Sequence, residues 1–218
     1  GQDLRENGNV VYVDLTLSEE DLWRNLQKAN RNAIARAKRQ KVEVFRTTKS
    51  ADVGEFFHLY NETMDRRGAK KMYYFPREFY KVLFDVLGES ISLFVAKHED
   101  RTANASLFIG EGGWIHYFLS GTRTQTRCPG SNNLLLYEAL LWAKKEGYRT
   151  FNLGGGYREA DSLFRFKSTF SRTATAFYTY RKVHDEVKYR ALCATRESYD
   201  RSKGASPVQS DYFPSYRR

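Results

Sequence analysis

A helix-length segment that leads directly into a short strand and a run of glycines constrains the fold of this chain more than any other feature. Residues 132–146 are rich in apolar side chains and are followed by Gly147, a residue typical of helix ends. Residues 148–153 then read as a short strand that runs into glycines at 154–156. A strand that returns to a sheet through a helix pairs in parallel with its neighbour. The segment therefore predicts a mixed α/β protein.

The first 90 residues predict two strands and three helices. Alternation predicts a strand at 10–15, and Ser18 with its acidic first turn predicts the start of a helix. That helix is expected to bury one apolar stripe, formed by Leu22, Leu26, Ala29, Ala33 and Ala37. After a strand at 42–45, helical spacing predicts a helix from Val53 to Met64. Pro76 is expected to begin the next helix, with a buried side of Phe79, Leu83, Val86 and Leu87.

Three consecutive strand signals, at 91–97, 103–109 and 114–119, predict an antiparallel meander before the central helix. After the glycines, Asp161 is expected to cap a short helix that precedes a final strand at 173–180. A weaker amphipathic helix follows from His184, and the tail from Ser202 is expected to be mobile or docked on a partner.

Composition restricts the class of protein. The length of 218 residues suits one domain with appendages, and no apolar run approaches the roughly 20 residues of a membrane span. Cys128 and Cys193 show no spacing that indicates a disulfide framework or, with the histidines, a metal site. A soluble, cytoplasmic protein without a metal is therefore expected. The net charge of +10 favours anionic partners.

Several segments of the sequence together resemble the Fem family of nonribosomal aminoacyl and peptidyl transferases. They read ARAKRQKVEVF from Ala35, YNETMDRRG from Tyr60, IHYFLSGT from Ile115, NNLLLYEALLWAKKEGYRTFNLGGG from Asn132 and FRFKSTF from Phe164. The resemblance extends over residues 10–180, and the order of elements is that of the GNAT acyltransferase fold. It implies an α/β, GNAT-like acyltransferase fold with a mixed central sheet flanked by helices.

The same resemblance implies a domain organisation. Family members carry two tandem GNAT-like domains, so this chain is expected to contain the second and to lack a first, N-terminal GNAT-like domain. Residues 1–40 would be an N-terminal strand and helix that link to that domain. Residues 41–183 would be the catalytic domain, and residues 184–218 a C-terminal helix and mobile tail.

The resemblance also implies an activity: transfer of an aminoacyl group from an aminoacyl-tRNA to an amine of a cell-wall precursor or related peptide, without a cofactor. The residues allow it, because aminolysis of an activated ester needs a site for the developing oxyanion but no enzyme nucleophile or metal. Two alternatives remain open, an acyl-CoA-dependent N-acyltransferase and a non-catalytic GNAT-like domain that binds RNA or an anionic glycan. The three hypotheses differ in the donor that each requires: an aminoacyl-tRNA, an acyl-CoA, or no donor.

The Phe-Lys pair supplies the first candidate site residues. Lys167 is expected to hold a donor phosphate or to stabilise transition-state charge, and Phe166 is expected to stack on a base, since the family pair contacts the aminoacylated end of the tRNA. Without the resemblance, Lys167 reads as a solvated lysine and Phe166 as a core residue. Gly154, Gly155 and Gly156 either bind an anion through their amides or form a tight turn.

Arg66 and Arg67 either grip the phosphates of a nucleotide-linked acceptor or cap helix carbonyls, and the resemblance does not say which arginine binds. Tyr117 matches a substrate-facing tyrosine of the family. Without the resemblance, Tyr117 reads as a residue of ordinary cross-strand packing. The segment from Arg127 to Asn132 approaches the pyrophosphate loop of acetyl-CoA-dependent enzymes, but Asn132 replaces its final small residue and matches the Fem pattern. Binding of coenzyme A is therefore not predicted.

Overall fold

A computed structural model gives the fold and describes residues 2–124, 128–156, 161–204 and 212–217. Contacts divide the chain into two compact units, residues 9–175 and residues 1–8 with 176–218. Among the described residues, every helix is too short or too polar to traverse a lipid bilayer.

The strands are β1 (Gln2–Asp14), β2 (Glu43–Thr47), β3 (Ile91–His98), β4 (Arg101–Glu111), β5 (Trp114–Thr122), β6 (Thr150–Gly154) and β7 (Ala174–Lys182). The helices are α1 (Glu19–Asn25), α2 (Lys28–Arg39), α3 (Val53–Arg66), α4 (Arg77–Leu87), α5 (Ser131–Lys145), α6 (Ser162–Lys167) and α7 (Glu186–Ser202). Short 3₁₀ helices lie at Ser50–Asp52, Lys71–Tyr73, Gly88–Ser90 and Ser215–Arg217.

The sheet of the larger unit runs β2-β3-β4-β5-β6-β1 and is mixed. The meander β3-β4-β5 is antiparallel, β6 is parallel to β5, and β1 is antiparallel to β6. The predicted mixed α/β fold and the parallel strand after α5 are confirmed. One core joins α1, α2 and α5 to the sheet, and a second core joins α3 and α4 to it. The larger unit is therefore a sheet between helical layers.

The divergence of β5 and β6 opens the sheet on one side. The two strands pair only from Trp114 to His116, after which β5 continues to Thr122 while β6 ends at Gly154. Helix α3 crosses the free end of β5 at Gly121, where an added Cβ would lie 2.6 Å from the backbone carbon of Leu59. Because only glycine permits this approach, Gly121 fixes how closely α3 sits against the opening.

The single N-terminal helix predicted after Ser18 is wrong, because the chain forms two helices, α1 and α2. Leu26 and Gln27 between them are extended, and Gln27 donates its backbone N–H to the Thr169 carbonyl at 2.9 Å and its side-chain amide to the Ser168 carbonyl at 3.2 Å. These contacts with a distant segment replace helical hydrogen bonds. The break changes the buried face of α2 to Asn30, Ile34 and Ala37.

The predicted buried side of the helix after Pro76 is also partly wrong. Tyr80 and Phe84 are the buried residues of α4, whereas Val86 is 75% exposed. Tyr80 packs against Phe56 with ring centroids 5.6 Å apart, so the aromatic cluster with α3 decides which face turns inward. Pro76 itself lies just before the first helical residue.

The smaller unit contains the first residues of β1, most of β7, and α7. Within it, the Asn7 side-chain amide donates to the Thr179 hydroxyl at 2.6 Å. Helix α7 begins after Asp185, whose carboxylate accepts from the Lys188 N–H at 2.9 Å. Tyr189 stacks on Phe213 with centroids 6.0 Å apart. Residues 205–211 of the tail that was predicted to be mobile lie outside the described residues.

Candidate functional site

A cleft of about 700 Å³ lies between α3, the free end of β5 and α6 in the larger unit. Its described lining residues are mostly aromatic or hydroxyl-bearing, among them Tyr60, Thr63, Tyr73, Tyr117, Ser120, Thr122 and Ser162. The charged residues among them are Arg67 and Lys167, and none is a carboxylate. The described wall is therefore positively charged, which suits an anionic ligand or a developing negative charge.

Lys167 lies at the inner wall of this cleft and not in bulk solvent. Helix α6 starts at Asp161, whose carboxylate accepts from the Phe164 N–H at 2.7 Å as predicted, and ends at Lys167. Only 8% of Lys167 is exposed, and its ammonium donates to the Gly155 carbonyl at 2.8 Å. Burial lowers the pKa of Lys167 to about 8, while the Asp161 carboxylate opposes this shift. Lys167 is therefore mostly protonated at pH 7.

The lowered pKa of Lys167 predicts a specific dependence of stability on pH. Between about pH 8 and the ordinary pKa of 10.5, the unfolded chain binds this proton more tightly than the folded chain. The free energy of unfolding should therefore rise across this window by up to about 3 kcal/mol relative to the Lys167→Met variant. Urea denaturation of both proteins from pH 7 to 10.5 measures the difference. Parallel pH profiles would contradict the buried ammonium.

The glycines at the end of β6 allow close approaches to the backbone. Gly154 has a φ of +75°, and a Cβ there would lie 3.2 Å from the Lys167 Nζ. A Cβ on Gly155 would lie 2.6 Å from the Asn9 carbonyl oxygen. The Gly154 N–H, predicted to bind an anion, already donates to the Asn152 side chain at 2.7 Å. These two glycines thus position Lys167 and β1, while Gly156 is exposed.

Tyr117 lies between the two cations. Its ring centroid is 5.7 Å from the Lys167 Nζ, and the Arg67 charge is close enough to lower the Tyr117 pKa slightly. Burial is the largest effect and raises the pKa of Tyr117, while the polar side chains of Ser120, Ser106 and Asn132 act in the opposite direction. Tyr117 therefore stays a neutral phenol in the cleft and packs on Phe108 at 5.5 Å.

The structure separates the two adjacent arginines. Arg66 donates to the Thr124 hydroxyl and, at 3.2 Å, to the Thr122 carbonyl, and it lies 3.8 Å from the Glu62 carboxylate. Arg67 follows the end of α3 and lines the cleft. Arg66 therefore holds α3 to the end of β5, and Arg67 is the arginine that a ligand in the cleft can reach.

Phe166 and Asn132 also line the cleft. Phe166 packs edge-on against Phe170, with centroids 5.5 Å apart, so it belongs both to the core and to the cleft wall. The Asn132 side-chain oxygen is buried and has no hydrogen-bond partner among the residues that the structure describes. A buried acceptor without a partner is costly, so Asn132 is suited to receive a hydrogen bond from a ligand.

The predictions missed the hydroxyl-bearing part of the wall. Tyr60, Thr63 and Arg67 recur at i, i+3 and i+7 along α3, which is the spacing of one helix face. Thr63 and Arg67 are polar residues on an otherwise apolar face, and this signal could have predicted that Tyr60 and Thr63 line the cleft together with Arg67. No group of His, Cys, Asp and Glu among the described residues is arranged to hold a metal ion.

Helix α2 packs directly on the turn that leads into α5. Gly130, before the first residue of α5, has a φ of +91°, and a Cβ there would clash with the Ala33 carbonyl oxygen. Asn133 donates to the Asn30 side chain at 2.8 Å, and the Ser131 hydroxyl donates to the Cys128 carbonyl at 2.7 Å. One side of the N-terminus of α5 is therefore covered by α2, while Asn132 faces the cleft. Arg127 of the predicted loop lies outside the described residues.

Comparisons with known proteins agree with this architecture. Residues 24–168 match a family model described as an acetyltransferase (GNAT) domain. No curated protein matches the chain significantly.

Solved structures share the fold at low sequence identity. FemX superposes with a TM-score of 0.70 at 12% identity, over 84% of this chain and 63% of FemX. The C-terminal DUF2156 domain of an Agrobacterium fabrum protein gives 0.62 at 16% identity, over 95% of this chain and 69% of that one. L-PGS from Bacillus licheniformis superposes with a TM-score of 0.61 at 16% identity, over 90% of this chain and 66% of L-PGS. The chain thus spans about two thirds of each of these three structures.

Proposed function

We propose that this chain, which belongs to the acetyltransferase (GNAT) domain family, is an acyltransferase that transfers an aminoacyl group from an aminoacyl-tRNA to an amine of a cell-wall precursor or related peptide. The predicted GNAT-like fold is confirmed by the family match, and the resemblance to the Fem family is supported by the structural similarity to FemX. Donor, acceptor and residue roles are the proposed part.

The buried Lys167 ammonium in a cleft whose described wall has no carboxylate is the observation that carries the proposal. In the proposed reaction, a neutral amine attacks the ester carbonyl, the new C–N bond forms, and the C–O bond to the ribose breaks. The leaving ribose oxygen takes up a proton as the amine loses one. A cation held in a poorly hydrated site stabilises the negative charge that develops on the carbonyl oxygen.

Two features support an RNA-linked donor over coenzyme A: the contacts of α2 at the start of α5, and the charge of the chain. Acetyl-CoA-dependent GNAT enzymes bind the pyrophosphate of coenzyme A at the N-terminus of the helix that corresponds to α5. Here α2 packs against that turn through Ala33 and Asn30. The net charge of +10 and the Phe166 ring in the cleft wall instead suit an RNA end, which offers phosphates and a base to stack.

The acceptor is proposed to lie toward Arg67, and this gives a test with a matched neighbour. Arg67→Ala should raise KM for a phosphorylated acceptor by about tenfold, the effect of losing one charged contact, and leave kcat nearly unchanged. Arg66→Ala should change KM little, because Arg66 contacts α3 and β5 instead. Steady-state kinetics with phosphorylated and unphosphorylated acceptors measures both. An equal effect of the two substitutions would contradict the assignment.

Salt dependence tests whether the donor carries phosphates. Each neutralised phosphate releases counterions, so the affinity for a short aminoacylated RNA should fall steeply between about 50 and 200 mM salt. The measurement is donor saturation of transfer to a peptide amine across a salt series. A flat response would exclude the RNA-linked donor, because only a donor without phosphates shows little dependence on salt.

A further inference from the structure

The open face of β5, β6 and β1 presents aromatic and polar side chains side by side. Strand register places them in two rows, which we call the platform: Trp114, Thr150 and Asp14 in the first row, and His116, Asn152 and Tyr12 in the second. The row between them, Ile115, Phe151 and Val13, is buried in the core on the opposite face. Alternation along the strands therefore directs the platform residues away from that core.

The platform keeps a large aromatic surface in contact with solvent. Trp114 is 49% exposed, and its ring lies nearly parallel to that of His116, at 17° with centroids 6.4 Å apart. The Asn152 amide nitrogen lies 3.2 Å from the His116 Nδ1 and fixes the imidazole. An exposed indole supported in this way is typical of a recognition surface.

The charge on the platform argues against a phosphate ligand. Its charged residue is Asp14, whose carboxylate accepts hydrogen bonds from the Thr16 hydroxyl and N–H at 2.7 and 2.9 Å. These bonds and, as a smaller effect, the Lys144 ammonium lower the pKa of Asp14, so it is negative at neutral pH. Although the whole chain is strongly basic, a nucleic-acid backbone on this face would meet a carboxylate.

The platform has the chemistry that a sugar ring requires. A pyranose is uncharged, has an apolar C–H face that packs on an aromatic ring, and has hydroxyls that both donate and accept hydrogen bonds. Trp114 supplies the flat apolar surface, and His116, Asn152 and Thr150 supply donors and acceptors beside it.

Phe118 links the platform to the cleft. It lies two residues beyond His116, where the register between β4 and β5 shifts by one residue, and it is 41% exposed and lines the cleft. From Trp114 to Phe118 the strand advances about 13 Å, roughly the length of two sugar units. A ligand on the platform can therefore extend into the site that contains Lys167.

We propose that the platform binds a saccharide, and that a chain of two or more sugar units on it reaches the mouth of the cleft at Phe118. Saccharide binding on the platform does not rest on the proposed function.

Binding without any donor tests the platform. The Trp114 indole N–H signal should shift when a soluble N-acetylglucosamine tetramer or cellotetraose is added, with saturation by about 10 mM, as expected for a weak millimolar site. Trp114→Ala should weaken binding at least about tenfold, and Trp114→Phe should retain most of it because the flat ring remains. Phe45→Ala, which removes an exposed aromatic from β2 at the other edge of this sheet, should change nothing.

Three results would overturn the platform proposal: no shift with either oligosaccharide, equal affinity in Trp114→Ala, or a response only to a short RNA. Because no acyl transfer is measured, the outcome is separate from the proposed reaction. Saccharide binding without aminoacyl transfer would refute the proposed reaction but support the platform proposal. Aminoacyl transfer without saccharide binding would support the reaction but refute the platform proposal.

Discussion

Lys167→Met is expected to lower kcat/KM for aminoacyl transfer by about 10²–10³-fold, the range seen when one preorganised transition-state contact is lost. The ammonium is held by the Gly155 carbonyl at the inner wall of the cleft, so it needs no reorganisation when charge develops on the substrate. Methionine occupies similar volume without a charge. Single-turnover kinetics with a short aminoacylated RNA and a peptide amine measures the effect on the chemical step.

Lys145→Met provides the matched control, because it removes an exposed lysine from the last turn of α5 without touching the cleft. Its kcat/KM should stay within about twofold of the wild type, since exposed charges contribute little individually. Urea denaturation should show that Lys167→Met is folded. Full activity in a folded Lys167→Met protein would remove Lys167 from the mechanism.

Gly121→Ala is expected to lower the free energy of unfolding by about 3 kcal/mol, at the upper end of overpacking effects. The added Cβ would lie 2.6 Å from the Leu59 carbonyl carbon and 2.7 Å from the Tyr60 nitrogen. Both atoms belong to the backbone of α3 and cannot rotate away. The helix must move off β5, which also displaces the Tyr60 and Arg67 side of the cleft. Denaturant midpoints and slopes measure the loss.

Gly54→Ala, on α3, is also a glycine-to-alanine change, but its expected effect on the free energy of unfolding has the opposite sign. Its Cβ would meet only the end of the Arg77 side chain at 3.3 Å, and alanine favours the helix by about 1 kcal/mol over glycine. Gly54→Ala should therefore be neutral or stabilising. A loss of stability equal to that of Gly121→Ala would show that the packing of α3 on β5 is looser than the distances indicate.

The elements set by local sequence were predictable. The meander, the parallel β6 and the Asp161 cap follow from alternation, a closing glycine and a capping carboxylate, which act within a few residues. The break between α1 and α2 was not predictable, because Gln27 gives up helical hydrogen bonds for Ser168 and Thr169, over 140 positions away in the chain.

The candidate site was predictable in residue type and less so in geometry. The Phe-Lys pair indicated Lys167, but only the fold shows that its ammonium is buried against Gly155. Sequence did not distinguish Arg66 from Arg67, because neighbouring residues on a helix differ by about 100° in direction and the choice depends on where β5 lies. The Gly154 amide was a reasonable anion site until the Asn152 side chain was seen to occupy it.

The identity of the donor is the central claim, and one competition measures it directly. A peptide amine is incubated with this chain and equal concentrations of a short aminoacylated RNA and acetyl-CoA, and the products are identified by mass spectrometry. The account predicts an aminoacyl adduct, its loss in Lys167→Met, and no acetyl adduct. An acetylated peptide formed by this chain, with no aminoacyl product, would contradict the RNA-linked donor and identify the chain as an acyl-CoA-dependent N-acyltransferase.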